Sequence, residues 1–293
     1  PTCFNRQRAE ELITILVTTG SAQGDVYGGL MFAAAYSEAL QKTITKFGDK
    51  MEIFAYHDDT YIQCEARYMN SIYRYFKKVA AESGITFNPG KSALWRPSGS
   101  HIPDSVLPEV TNRNLDGILV LGTPVGSDEF VRDEMMEIVT ERYDAMHSRL
   151  QAMGNAHAQY LLTRYCCCNN LNHWLRTVRP DLVIDAAEHF DAQVDETIKA
   201  MLSQSLDNQT AVDDLQLAQA RQIIKRGGLG LLSARRTANP AWLASWSLTK
   251  TLLGKVFADH HTLSDVLDHV STNPQELTLI ASISDTWDEI RSL

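Results

Sequence analysis

The sequence predicts an α+β fold. Three observations carry that expectation. Two short runs of strand-forming residues flank an acidic turn at Tyr56-His57-Asp58-Asp59, helical patterns stand before and after that pair, and from Asp128 onward helical spacing takes over. The 293 residues allow two domains and are ample for a buried core. With 44% hydrophobic and 22% charged residues the composition is that of an ordinary globular chain, and no run of 18 apolar residues suggests a membrane span. No membrane partner is expected.

Near the start, Leu12-Ile13-Thr14-Ile15-Leu16-Val17 reads equally as buried strand or helix. The stretch from Thr19 to Gly29 is dense in glycine and polar residues and opens a helix whose apolar positions are Leu30, Ala33, Ala34, Leu40, Ile44 and Phe47. A glycine-rich loop at a helix start lets backbone approach a phosphate or base, yet this one matches neither the Walker nor the dinucleotide pattern. Met51 to Ala55 and Thr60 to Cys64 then form the arms of a hairpin around the acidic turn. Adjacent carboxylates repel unless a cation shares them, and hard oxygen ligands of this kind suit magnesium. Equally, Asp is a common turn former, and a solvated loop needs no metal.

After the hairpin, Met69, Ile72, Tyr73, Phe76, Val79 and Ala80 share one face of a helix that Gly84 closes. Ile85 to Asn88 reads as a short strand, Pro89-Gly90 as a turn, and Lys91 opens the segment Ser92 to Arg96. Residues 97–117 are rich in Pro, Ser and Asn and look irregular. Ile118 to Gly122 is a strand, and Thr123 to Gly126 turns out of it. Helices are expected over 129–152, with Gly154 just beyond, over 156–178, from about Leu182 to Leu202 and from about Val212 to Ile224. Arg226 to Ser233 breaks the pattern, which resumes at Trp242, and Asn273, Pro274 and Glu276 cap a last helix.

Five cysteines, three of them consecutive at Cys166 to Cys168, do not make a disulfide framework and fit a reducing, intracellular compartment, nucleus or cytoplasm. His157 and His173 flank that run, but zinc sites use spaced pairs, so helix packing is the expectation. His260-His261 reads as an exposed loop, Gly227 to Gly230 departs from the dinucleotide fingerprint, and no nucleophile triad has a local signature. The net charge is -9 and uneven: residues 1–100 hold 11 Lys and Arg against 10 Asp and Glu, the remainder 16 against 26. Phosphate neutralisation supplies most nucleic-acid affinity, so this chain is expected to bind nucleic acid weakly.

Taken in order, four motifs form a set. Gln23-Gly24-Asp25 with Gly28 to Phe32, Ala55 to Thr60, Gly84 to Lys91, and Leu121 to Gly126 together resemble the palm of a reverse transcriptase of the non-LTR retroelement type, over roughly residues 19–127. Leu171 to Thr177 and Gly227 to Ala234 look like segments that follow the palm in such proteins. The resemblance implies a partial palm, with its antiparallel sheet and packed helices, over 1–127 and a helical thumb-like region over 128–293. It implies Mg2+ held by Asp58 with Asp59 beside it, and Lys91 as a cation at the pyrophosphate. Gln23, Gly24 and Tyr56 would lie near nucleotide and template, and Leu121 and Gly122 near the primer end. RNA template, DNA primer and deoxynucleoside triphosphate would be partners of the intact parent.

Two departures limit that expectation. His57 stands where the family usually has a small or apolar residue. Motif A, which supplies a further essential Asp, is absent: the only acids before Gln23 are Glu10 and Glu11. Metal is therefore expected to bind weakly. The chain reads as the C-terminal part of a reverse-transcriptase-like protein, inactive as it stands. The rival reading is a non-enzymatic retroelement remnant that serves as an interaction or structural domain. A metal-dependent phosphohydrolase built on Asp58 and Asp59 lacks supporting ligands.

Overall fold

The computed structural model describes residues 24–97, 99, 101–114, 116–204 and 212–256. The apolar run at 12–17, Gln23, the His260-His261 pair and the helix expected from Asn273 lie outside the described residues. The α+β class holds, and the chain divides into two compact units between residues 115 and 116. Among the described residues the strands form three two-stranded pairs, two antiparallel and one parallel, in place of a single sheet.

The first unit begins with α1 (Gly28–Phe47), followed by β1 (Met51–Tyr56), β2 (Asp59–Cys64) and α2 (Ala66–Glu82). Helix α2 buries the face its spacing predicts: Ile72, Tyr73, Phe76, Val79 and Ala80. It ends in a glycine-dependent cap. Gly84 takes φ 76°, Ile85 N–H reaches back to Ala80 O at 3.0 Å, and Gly84 N–H bonds Ala81 O at 3.0 Å. Helix α1 forms where predicted but turns a different face inward. Tyr36, Ala39 and Thr43 are buried, while Leu30 is 70% and Met31 69% exposed. Two polar residues sit on the buried face because each finds a partner: Thr43 bonds its own helix at Ala39 O, and Tyr36 bonds Thr60.

Residues 85–88 are not a strand. Ile85 and Phe87 pack against the cluster formed by Tyr36, Phe76, Val79 and Ala80, and Asn88 Oδ1 accepts from Gly90 N–H at 3.0 Å to start a 3-10 turn over Pro89–Lys91. The burial is real but no ladder accompanies it. The Pro- and Ser-rich stretch that follows buries Ile102, Val106, Leu107 and Val110 against Tyr73 and Leu94. Asn70 pins it, donating to Ser105 O and accepting from Leu107 N–H, each at 2.8 Å. It delivers β4 (Asn112–Asn114) in parallel beside β3 (Ala93–Trp95), a pairing without local signature.

In the second unit β5 (Gly117–Val120) and β6 (Thr123–Gly126) close through Leu121 (φ 50°) and Gly122 (φ 77°). Two positive φ values in succession are the signature of the tight hairpin turn whose twist matches its strands. Gly117 pairs with Gly126, and a Cβ on either would strike the Phe130 ring. That contact explains why the hairpin belongs with the helices: Phe130 stands in α3 (Asp128–Val139), and Trp174 Nε1 donates to Gly122 O at 2.8 Å. The division into compact units thus falls before the hairpin.

The rod expected over 129–152 is α3 and α4 (Ala145–Gln151) joined by a π-helical turn at Thr140–Asp144. A second π turn, Thr163–Cys167, follows α5 (Ala156–Leu162) and precedes α6 (Asn172–Thr177). Around α7 (Pro180–Ser203) the others gather; its buried line runs Leu182, Ala186, Phe190, Val194, Ile198 and Met201. Cys167 and Cys168 are buried here as packing residues, their thiols pushed up by burial to about 12 and about 11. After α8 (Asp214–Ala220), Arg221 anchors the break before α9 (Ala234–Val256). Its guanidinium meets Asp195 at 2.7 Å and Asp191 at 3.3 Å, and the Asp191 carboxylate accepts the Ala234 and Arg235 N–H groups and the Ser233 hydroxyl.

His147, in α4, is fully buried, and among the described residues neither ring nitrogen has a hydrogen-bond partner. Its ring meets Phe190 edge-on at 5.1 Å. Burial lowers its pKa below the ordinary 6.5, with the Arg221 and His189 charges adding to the effect and Asp144 opposing it. The folded chain thus binds fewer protons here than the unfolded one, so stability is full above 6.5 and falls as pH drops below it. His147→Leu is predicted to flatten the loss of unfolding free energy between about pH 7.5 and about pH 5, measured by urea titration at each pH. An unchanged slope would remove His147 from the account.

Candidate functional site

The acidic hairpin is the first unit's most defined local structure. Six residue pairs hold β1 to β2, from Met51 with Cys64 to Tyr56 with Asp59, leaving His57 and Asp58 as a two-residue turn. Asp58 stands at the tip, Asp59 opens β2, and both side chains are exposed. His57 takes φ 53°, a left-handed conformation that His, Asn and Asp tolerate better than apolar residues do. Its ring lies edge-on to Tyr56 at 5.0 Å. His57 thus fits its turn on backbone grounds.

Behind the turn the inner face is apolar. Ile53 pairs with Ile62, and both pack on the cluster of Tyr36, Ala39, Phe76, Val79 and Ala80. Tyr36 makes the decisive link. Its ring is 97% buried between Phe32 at 5.2 Å and Phe76 at 5.8 Å, and its hydroxyl shares a hydrogen bond with Thr60, the residue next to Asp59. Burial pushes the Tyr36 phenol pKa up; the Thr60 bond opposes this, and the Asp58 charge pushes it further up. Helix α1 therefore senses the turn electrostatically and holds β2 mechanically. Sequence reasoning missed Tyr36, although Tyr36, Ala39 and Thr43 stand three and four residues apart on one face.

The other expected site residues are scattered. Gly24, exposed at φ 92°, needs the backbone freedom of glycine, and Asp25 Oδ1 accepts from Tyr27 N–H at 2.9 Å to lead the chain into α1. Lys91 is exposed in the 3-10 turn. Among the described residues no hydrogen bond or ion pair joins Lys91 or Gly24 to Asp58 or Asp59. Tyr56 is on the hairpin itself, 62% exposed. Leu121 and Gly122 form the β5–β6 turn of the second unit. Gln23 lies outside the described residues.

Two adjacent exposed carboxylates are hard oxygen donors of the kind a hydrated magnesium ion takes. They do not make a two-metal centre. Among the described residues no three His, Cys, Asp or Glu side chains gather to hold a metal. The chain matches no protein-family model, no curated protein and no solved structure. No described helix is long and apolar enough to cross a membrane.

Tyr36→Phe removes the hydroxyl that ties α1 to β2. It is predicted to weaken the hairpin by about 1 kcal/mol, read as faster amide exchange confined to β1 and β2. Thr60→Val should do the same. Unchanged protection in both variants would show that apolar packing alone sets the hairpin.

Proposed function

We propose that the first unit is a palm element of the reverse-transcriptase type, descended from RNA-directed DNA synthesis, with Asp58 and Asp59 as its magnesium ligands. The hairpin carries the proposal. A two-residue turn places one acid at the tip and the next at the head of the returning strand, and two helices pack on the opposite face. A solvated loop needs no such backing. The order of the Gln23-Gly24 loop, the acidic turn, the Lys91 turn and the Leu121-Gly122 turn along the chain supports the same reading.

Magnesium there would offer positive charge to phosphate oxygens and lower the pKa of an attacking hydroxyl. The two carboxylates present do not fit the full pair of ions, so nucleotidyl transfer is assigned to a parent that supplies a third. Within this chain Asp58 and Asp59 bind a cation, Tyr36 and Thr60 fix their strand, and His57 sets the turn. RNA template, DNA primer and deoxynucleoside triphosphate are the partners this reading gives the parent. The acidic balance of the chain, -9 overall, opposes tight contact with a phosphate backbone.

The rival, a non-enzymatic remnant, draws on the same two-carboxylate donor set. Primer extension on an RNA template, with magnesium and all four deoxynucleoside triphosphates, tests whether two carboxylates suffice. The chain alone is predicted to give none. Extension by the chain that Asp58→Asn abolishes would establish the site and contradict the need for a third carboxylate.

A further inference from the structure

The second unit carries a groove that the proposed function does not use. It is a cavity of about 340 Å³ between α4 and the turn that ends α5. Met146, Leu150, Met153, Leu162, Cys166 and Cys167 supply an apolar floor, and Arg142 and Arg149 stand on the α4 side. Two features set it apart from an ordinary furrow between helices. Both π-helical turns border it, one bearing Arg142 and the other Cys166 and Cys167, and such turns concentrate at functional positions. Among the described residues neither arginine meets a carboxylate, Arg142 lying over the Trp174 ring at 5.8 Å, and no acid lines the groove. Methionine floors suit helical partners because the side chain adapts to what it meets.

The chain supplies a complementary segment. Residues 257–293, all outside the described residues, hold seven Asp and Glu against a single Arg. Within them Leu277, Ile280, Ile283, Trp287 and Ile290 recur at intervals of three and four, the spacing of one helical face, after the Asn273-Pro274-Glu276 start signal. Glu276, Asp285, Asp288 and Glu289 intersperse that apolar line. Seventeen residues lie between Val256 and Pro274, a reach of about 60 Å when extended.

We propose that the groove is an internal docking site for the acidic C-terminal segment 274–293 of the same chain. The segment's apolar face covers Met146, Met153, Leu162 and Cys166, and its carboxylates meet Arg142 and Arg149. Helix-in-groove recognition of this kind reads apolar anchors at helical spacing and uses rim charge for register.

Cys166 reports the contact directly, since its side chain is exposed on the groove while Cys167 and Cys168 are buried. In the whole chain, alkylation of Cys166 by iodoacetamide, quantified on the peptide that contains it, should be about tenfold slower than in the tail variant Ile280→Asp/Trp287→Asp. Arg149→Glu should release most of the protection, and raising salt should release part of it. A synthetic peptide of residues 274–293 added to the tail variant should restore it. Equal rates in the whole chain and the tail variant would overturn the proposal. Protection that grows with chain concentration would also overturn it, because a second copy would then be the occupant.

Discussion

A two-stranded ribbon is marginal in water unless something packs on it, and here the Tyr36 ring, set between Phe32 and Phe76 with its hydroxyl on Thr60, is what the acidic hairpin leans on. Without that wedge the inner residues Ile53 and Ile62 would keep Ala39, Phe76, Val79 and Ala80 beneath them but lose the hydrogen bond that fixes β2 to α1. Asp58 and Asp59 would then sit on a strand pair free to shift. With it, the turn has one orientation relative to α1 and α2, which is what a pair of metal ligands requires. The link also runs the other way, because the Asp58 charge is felt at the phenol of Tyr36.

The hairpin was legible because its signal is local: strand formers, two turn residues, strand formers again. The same holds for α2, whose apolar line at 72, 73, 76, 79 and 80 is uninterrupted and whose Gly84 cap is a single-residue signature. What failed to show depended on partners distant in sequence. The inward face of α1 is set by Thr60 and Phe76, so Leu30 and Met31 look like core by composition yet stand in solvent. Strand β4 pairs with β3 only because Asn70 and a buried run from Ile102 to Val110 bring it there. The strand at Ile118 read correctly, but Thr123 to Gly126, expected as a turn, is the returning strand, and the hairpin's allegiance to the helices rests on Phe130 lying over Gly117 and Gly126. Neither π turn was read from the sequence, because a single added residue shifts the apolar phase by less than the slack in a short helical pattern.

Of the expected site, Asp58, Asp59 and Tyr56 arrive together because they are neighbours in sequence, and the backbone of the turn gives His57 a reason that motif comparison lacked. Lys91 and Gly24 share a unit with them through loops, and loop residues are placed by contacts that spacing does not encode. Charge adds a constraint of its own. A chain carrying -9 has little to offer a phosphate backbone, while it strengthens every carboxylate's need for a cation.

The central claim is that the Asp58-Asp59 turn is a cation site built as part of a palm element. Manganese(II) titration followed by amide resonance broadening tests it most directly, because the paramagnetic ion substitutes for magnesium and marks the backbone beside it. The account predicts broadening centred on residues 56–60 at millimolar ion, removed by Asp58→Asn and competed by magnesium. Broadening spread over other acidic surfaces with the hairpin spared would contradict it.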